Sequence, residues 1–254
     1  SVGAAPYRPQ SDQELLETLP RRWADADQRE LRQMRAALKA QPRNVELAVQ
    51  LARRDHAEAA AEGDPRTIGH AQAALAPWWD EAAPPAPVRL MRAVLLQYGH
   101  QFDAARADLR AVLQADPSNA EAWAWLAAIS LVQADYGTAS EACSALATLA
   151  PPLIAIACSA QVDARTGHGA KAVAALRAAV ARDPGADAEQ RLWALTRLAE
   201  TEEQLGNAAA AESAYRQALA LGLTDAYLLA AYADFLLGQG RAADVLVLLK
   251  DRGR

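Results

Sequence analysis

The sequence predicts an all-α solenoid of antiparallel helix pairs, and three observations predict it. Prolines that can end helices recur at a fixed distance, Pro117 to Pro151 and Pro151 to Pro184, a period of about 34 residues. Small residues repeat in phase with them, at Ala105, Ala139 and Ala172 and, beyond an inserted "GADAEQ" linker, at Ala211 and Val245. Within each period, apolar residues recur at three- and four-residue spacing on either side of a short polar or Gly turn, the pattern of two amphipathic helices.

The elements follow in chain order. The opening "SVGAAPYRPQ" is small-residue and Pro-containing, starts without Met, and resembles the start of a mature exported chain; any cut through a longer chain would look the same. On that reading, periplasmic or otherwise exported residence is favoured over the cytoplasm. "SDQE" at Ser11 to Glu14 has the form of a capping box and predicts a short helix through Leu19. A second helix is expected from Asp25 or Asp27 to Pro42, with Leu31, Met34 and Leu38 at i, i+3 and i+7. Residues 1–43 thus read as a tail and helical cap, since the end of a stack must cover its core with a polar face.

Residues 44–254 then read as five to six helix pairs, at approximately 44–79, 86–117, 118–152, 153–184, 190–223 and 224–254. The first pair departs most: its first helix is long, and "APWWDEAAPPAP" replaces the usual stop, with Trp78 and Trp79 expected to plug the join. The inter-helix turns are "QYGHQ", "ADYG", "TGHG", "LGN" and "GQGR". A proline after the second helix cannot continue it, so the chain restarts, and Asn119 or Ser118 can cap the next helix. In the last segment, "AADVLVLLKDRGR", Val245, Leu246, Leu248 and Leu249 leave an apolar face partly uncovered. Burying one such side chain is worth roughly 1.5–3 kcal/mol, so either the chain continues or this C-terminal helix self-associates.

The unit from Ala120 to Pro152 carries Trp123, Leu126, Ala127, Ala139, Leu146 and Pro151. A second carries Leu198, Ala199, Gly206, Ala211, Tyr215 and Ala218, and a third begins at Ala226 with Tyr232, Ala233 and Gly240. In phase, these resemble the tetratricopeptide repeat (TPR) superfamily over roughly residues 44–250. The resemblance implies a right-handed superhelix whose concave face is lined by the first helix of each pair, and a non-enzymatic scaffold or adaptor that binds a peptide or helix of a partner there. Carried over by position, the ligand-facing residues of the first two units are Arg53, His56, Val94, Gln97 and Tyr98. The third and fourth supply Ala128, Leu131, Val132, Gln161 and Arg165, and the last two Trp193, Thr196, Glu200, Glu203, Tyr227, Ala230 and Asp234. The basic-and-Asn carboxylate clamp of chaperone-binding members is absent, which disfavours a partner ending in an acidic C-terminal motif.

Composition narrows the partner. A net charge of -5 leaves no surplus of Lys and Arg for phosphates or anionic lipid, which argues against nucleic acid. No window reaches the roughly 18 unbroken apolar residues of a membrane-spanning helix. The imbalance is local: between Ala186 and Asp234, three basic residues stand against eight acidic ones. Glu200 and Glu203 lie three apart on one helix face, with Asp234 at the equivalent height in the next unit. They predict either a groove for a segment carrying Lys or Arg, anchored beside Trp193 and Tyr227, or a solvated charged face, into which Glu202 fits.

Nothing in the sequence assembles chemistry. His56, His70, His100 and His168 are scattered one per region, without HExxH or paired spacing, and read as polar surface and turn residues; no metal or cofactor is expected. "GHGAK" at Gly167 to Lys171 follows a helix where a phosphate loop would follow a strand. Cys143 and Cys158 flank Pro151 at similar distances, so they either bridge two antiparallel helices or stay free, with Cys143 filling a core slot. Two other functions stay open: a cell-envelope accessory protein whose carboxylates bind a cation or that assists an enzyme, and a self-associating structural array.

Overall fold

The computed structural model describes residue 11 and residues 25–62, 66–223 and 225–252. These form thirteen α-helices and one short 3-10 turn, with no strand among the described residues. A single helix, α1 (Asp25–Ala40), leads into six pairs: α2 (Val45–Glu62) with α3 (Arg66–Ala74), α4 (Ala86–Tyr98) with α5 (Phe102–Ala115), α6 (Ala120–Val132) with α7 (Tyr136–Leu149), α8 (Pro152–Arg165) with α9 (Gly169–Arg182), α10 (Ala188–Gln204) with α11 (Ala208–Ala220), and α12 (Ala226–Gly238) with α13 (Ala242–Arg252). The helix expected over Ser11 to Leu19 lies outside the described residues.

Local chemistry sets the boundaries. Pro117, Pro151 and Pro184 each stand two residues past the end of a second helix, where the missing N–H and fixed φ forbid continuation. Three first helices start on polar caps, while α8 starts on Pro151 without one: Asn119 Oδ1 accepts from the Ala122 N–H at 2.9 Å, Asp187 from Glu189 at 2.9 Å, and Asp225 from Leu228 at 2.6 Å. Ser118 instead donates to Asp116.

The turns within pairs share one device. In the five pairs from α4–α5 to α12–α13, the N–H three residues past the first helix bonds back five residues: Gln101 to Leu96, Asp135 to Ser130, His168 to Asp163, Asn207 to Glu202 and Arg241 to Leu236, all at 2.8–2.9 Å. This is the Schellman closure, and it needs a left-handed residue just before the donor. Gly167, Gly206 and Gly240 fill that place, but in two turns it falls on His100 and Ala134, both at φ 57°. The glycines of "QYGHQ" and "ADYG" are therefore not the residues that turn the chain.

First helices pack on one another in series, from α2 through α4, α6, α8 and α10 to α12, and α12 comes back to within 8 Å of α2 between Cα atoms. The core divides into three clusters along the stack, and tryptophans sit at their junctions. Trp79 and Trp125 touch both the first and second clusters, and Trp193 touches both the second and third. Trp78 is 2% exposed under the 3-10 turn Ala76–Trp78, as the irregular join requires. Arg92 fastens that join: it pairs with Asp108 through two contacts of 2.7 and 2.8 Å and donates to the carbonyls of Trp79 and Glu81 at 2.7 and 2.8 Å. Leu31, Met34 and Leu38 of α1 pack on the first cluster.

At the C-terminal end, Val245 and Leu248 of α13 pack on the last cluster, while Leu246 is 72% exposed and Val247 and Leu249 also face outward. Cys143 and Cys158 form a disulfide with Cα atoms 5.5 Å apart, joining α7 to α8 and hence the third pair to the fourth. Both cysteines are buried in the second cluster.

Candidate interaction groove

The inner wall of α6, α8, α10 and α12 encloses a cavity of about 430 Å³. Its α6 side is aliphatic, formed by Ala124, Ala127, Ala128, Leu131 and Val132; its floor includes Ile154 and the bridged Cys158. Its other side is polar and aromatic, formed by Gln161 and Arg165 of α8, Trp193 and Arg197 of α10, and Tyr227 of α12. Val132 stands 70% exposed at the rim.

Periodicity places these side chains. Gln161 and Arg165 are one turn apart on α8, as are Trp193 and Arg197 on α10, so each pair lies on one face. The Arg197 guanidinium stacks 4.5 Å above the Tyr227 ring and bonds Glu200 at 3.0 Å. The Tyr227 hydroxyl donates to the same Glu200 carboxylate. Burial lifts the Tyr227 pKa, keeping the hydroxyl protonated as a donor.

Of the residues expected in the groove, the structure thus gathers Gln161, Arg165, Trp193 and Tyr227 with Ala128, Leu131 and Val132. A second group forms on the N-terminal side. Arg53 of α2 holds Glu121 of α6 in a two-pronged ion pair at 2.7 Å, and the half-buried His56 meets the edges of Tyr98 and Trp125 at 6.4 and 6.1 Å between centroids. Burial first, and then the Arg53 charge, holds the His56 pKa below its ordinary value. Gln97 is half-buried beside Tyr98 on α4.

Three expectations need correction. Thr196 is 1% exposed and its hydroxyl donates to the Leu192 carbonyl at 2.8 Å, so it faces the core of the stack. Val94 is buried likewise. Glu202, read as a solvated charge, is 1% exposed: it pairs with Arg177 of α9 and accepts from the Asn207 side chain at 2.8 Å. Among the acidic trio, Glu200 is already matched by Arg197, Glu203 is exposed and accepts from the Tyr215 hydroxyl at 3.3 Å, and Asp234 is exposed on α12. None of the three lines the cavity. The residue missed was Arg197; its spacing of four from Trp193 and three from Glu200 was the available signal. Among the described residues, no three His, Cys, Asp or Glu side chains converge as metal ligands.

A helical-repeat array with a lined inner groove defines the class of protein. Residues 194–221 match the tetratricopeptide repeat, a segment spanning α10 to α11. No curated protein matches the chain in sequence. Among solved structures, it is similar to a tetratricopeptide repeat protein from Parabacteroides merdae, with TM-score 0.67 and 14% identity over 89% of this chain and 87% of that one. It is also similar to TTC0263, a TPR protein of Thermus thermophilus, with TM-score 0.55 and 23% identity over 66% of this chain and 89% of that one. The APC/C hetero-tetramer Cut9-Hcn1 gives TM-score 0.61 and 14% identity over 87% of this chain, which spans 43% of that chain. At these identities the likeness is one of fold, an all-α helical-repeat array. No described helix is long and apolar enough to cross a membrane.

Proposed function

We propose that the protein is a non-enzymatic interaction scaffold that receives a short segment of a partner protein in the groove of α6, α8, α10 and α12. The observation that supports this reading is the cavity itself: an aliphatic wall facing Trp193, Tyr227, Gln161 and two arginines, within the roughly 300–1,000 Å³ typical of ligand sites. Large apolar surface beside a few convergent polar groups is what peptide recognition uses. The volume suits a few residues rather than the face of a long helix. A Lys- or Arg-bearing partner would instead use Glu203 and Asp234 outside the cavity, because Glu200 is held by Arg197.

The test is affinity capture with mass spectrometry from native extract, using wild type and Ala128→Arg, which fills the groove from an exposed lining position. Ala178→Arg, on the exposed side of α9, is the matched control. A protein captured by wild type and Ala178→Arg and lost with Ala128→Arg is the expected result; retention by all three refutes the groove as the site.

Exposed Leu246, Val247 and Leu249 on one short helix favour a second reading, association of two copies through α13. Sedimentation velocity across a hundredfold range of concentration should then show a dimer that Leu246→Glu abolishes.

A further inference from the structure

We infer that the groove selects an extended, internal segment in which an Asp or Glu side chain is flanked by aliphatic residues. The carboxylate meets Arg165 and Arg197, and an aliphatic neighbour enters the wall of Ala128, Leu131 and Val132. The inference rests on the groove being the binding site and adds the chemistry of its occupant.

Charge carries it. The ionisable side chains that line the cavity are Arg165, Arg197 and Tyr227, with no carboxylate among them. Arg165, exposed in the last turn of α8, makes no hydrogen bond or ion pair among the described residues. This stands out in a chain of net charge -5 in which Arg53, on the first helix α2, is fully matched by Glu121. Arg197 gives one arm to Glu200, but its buried Nε has no acceptor. With Arg197 offset by Glu200 and its Nε sealed from solvent, Arg165 supplies the uncompensated charge that leaves the groove locally positive over apolar ground. A low-dielectric surface strengthens a charge-assisted bond to a carboxylate and raises the cost of bringing in a cation.

Shape supplies the rest. The α6 wall has no polar side chain along the cavity, so it rewards aliphatic contact alone. A helix about 10 Å across would have to bring its full diameter into a cavity of about 430 Å³ whose superhelix already brings α12 to α2. An extended segment alternates its side chains, presenting its carboxylate to one wall and its aliphatic neighbour to the other.

The experiment uses the full chain with its disulfide intact and fluorescein-labelled, C-terminally amidated peptides Gly-Ser-Glu-Leu-Glu-Leu-Ser-Gly, followed by fluorescence anisotropy at about 50 mM salt, where screening is weak. Counterparts carry Lys or Gln in place of Glu, and a fourth peptide ends in a free carboxylate. The Glu peptide should bind at least tenfold more tightly than the Lys and Gln peptides, and Arg165→Glu, a change at an exposed site, should weaken it about tenfold. Ala128→Arg should abolish it.

Tighter binding of the Lys peptide, or Glu-peptide binding untouched by Arg165→Glu, overturns the anionic selection; if Ala128→Arg still abolishes that binding, the groove stands as the site. Glu-peptide binding untouched by both variants overturns both readings. Tighter binding of the free-carboxylate peptide assigns the arginines to a chain terminus and overturns the internal segment. No Glu-peptide binding up to about 1 mM overturns the proposal.

Discussion

Arg92 and Asp108 form a buried ion pair whose value lies mostly in what happens when one partner goes. Arg92→Met strips the buried Asp108 carboxylate of its two short charged contacts, leaving it only the Arg89 guanidinium at 3.8 Å, and removes the donor to the carbonyls of Trp79 and Glu81. Breaking a buried pair from one side costs about 3–5 kcal/mol, so the urea midpoint of this variant should fall by that equivalent. Arg92→Met with Asp108→Leu should recover only part of it, since the two carbonyls stay unmet. His56 sets a pH dependence. Its pKa is held below the ordinary value of 6.5, so the unfolded chain binds the proton more readily than the folded one. The associated stability is present above about pH 6.5 and is lost as pH falls through the folded pKa. Between pH 7.5 and 5.5, the urea midpoint should therefore drop more for wild type than for His56→Gln. The sequence showed His56 as a histidine on an inner helix; that Tyr98 and Trp125 enclose it depends on the angle between three helices.

The turns and the bridge belong to the scale of elements. All five Schellman closures need a left-handed residue, and Ala134 occupies one at φ 57°. A left-handed non-glycine residue costs on the order of 1–2 kcal/mol, so Ala134→Gly should stabilise the protein by about 1 kcal/mol in urea unfolding, while Gly206→Ala should cost a similar amount. Glycine content located these turns but missed the turning residue twice, because the cap geometry follows the last hydrogen bond of the helix rather than the nearest glycine. The Cys143–Cys158 bridge closes a separation of 15 residues, for which chain entropy gives about 3 kcal/mol. Reduction should lower the unfolding free energy by up to that amount, and thiol titration of the unfolded, unreduced chain should find no free thiol. Spacing allowed the bridge and could not choose it over two buried thiols, since that depends on how α7 and α8 face each other.

At the scale of the whole molecule, the return of α12 to α2 departs from an open array. In a linear stack, stability grades downward toward both ends. With the first and last inner helices in contact, amides of α2 and α12 should exchange with hydrogen at rates close to those of α6 and α8, rather than at the fast rates of an unsupported end.

The acidic surplus also changes meaning at this scale. Of the eight acidic residues between Ala186 and Asp234, Asp187 and Asp225 cap helices, and Glu200, Glu202 and Glu212 pair with arginines. Two of those partners, Arg177 and Arg241, lie outside the counted window, so net charge along the chain overstated the charge left for a ligand.

What the sequence by itself determined is periodic: helix pairs from apolar spacing, stops from proline, caps from Asn and Asp, and the candidate positions Gln161, Arg165, Trp193 and Tyr227 from their place in the repeat. Those depend on forces that act within about ten residues of one another. Only the tertiary structure decided which charges are already matched, that Thr196 and Glu202 turn inward, and that Arg197 lines the groove. Each of these is set by the rotation of one helix against another and by partners a repeat or more away, and such partners leave no local mark on the chain.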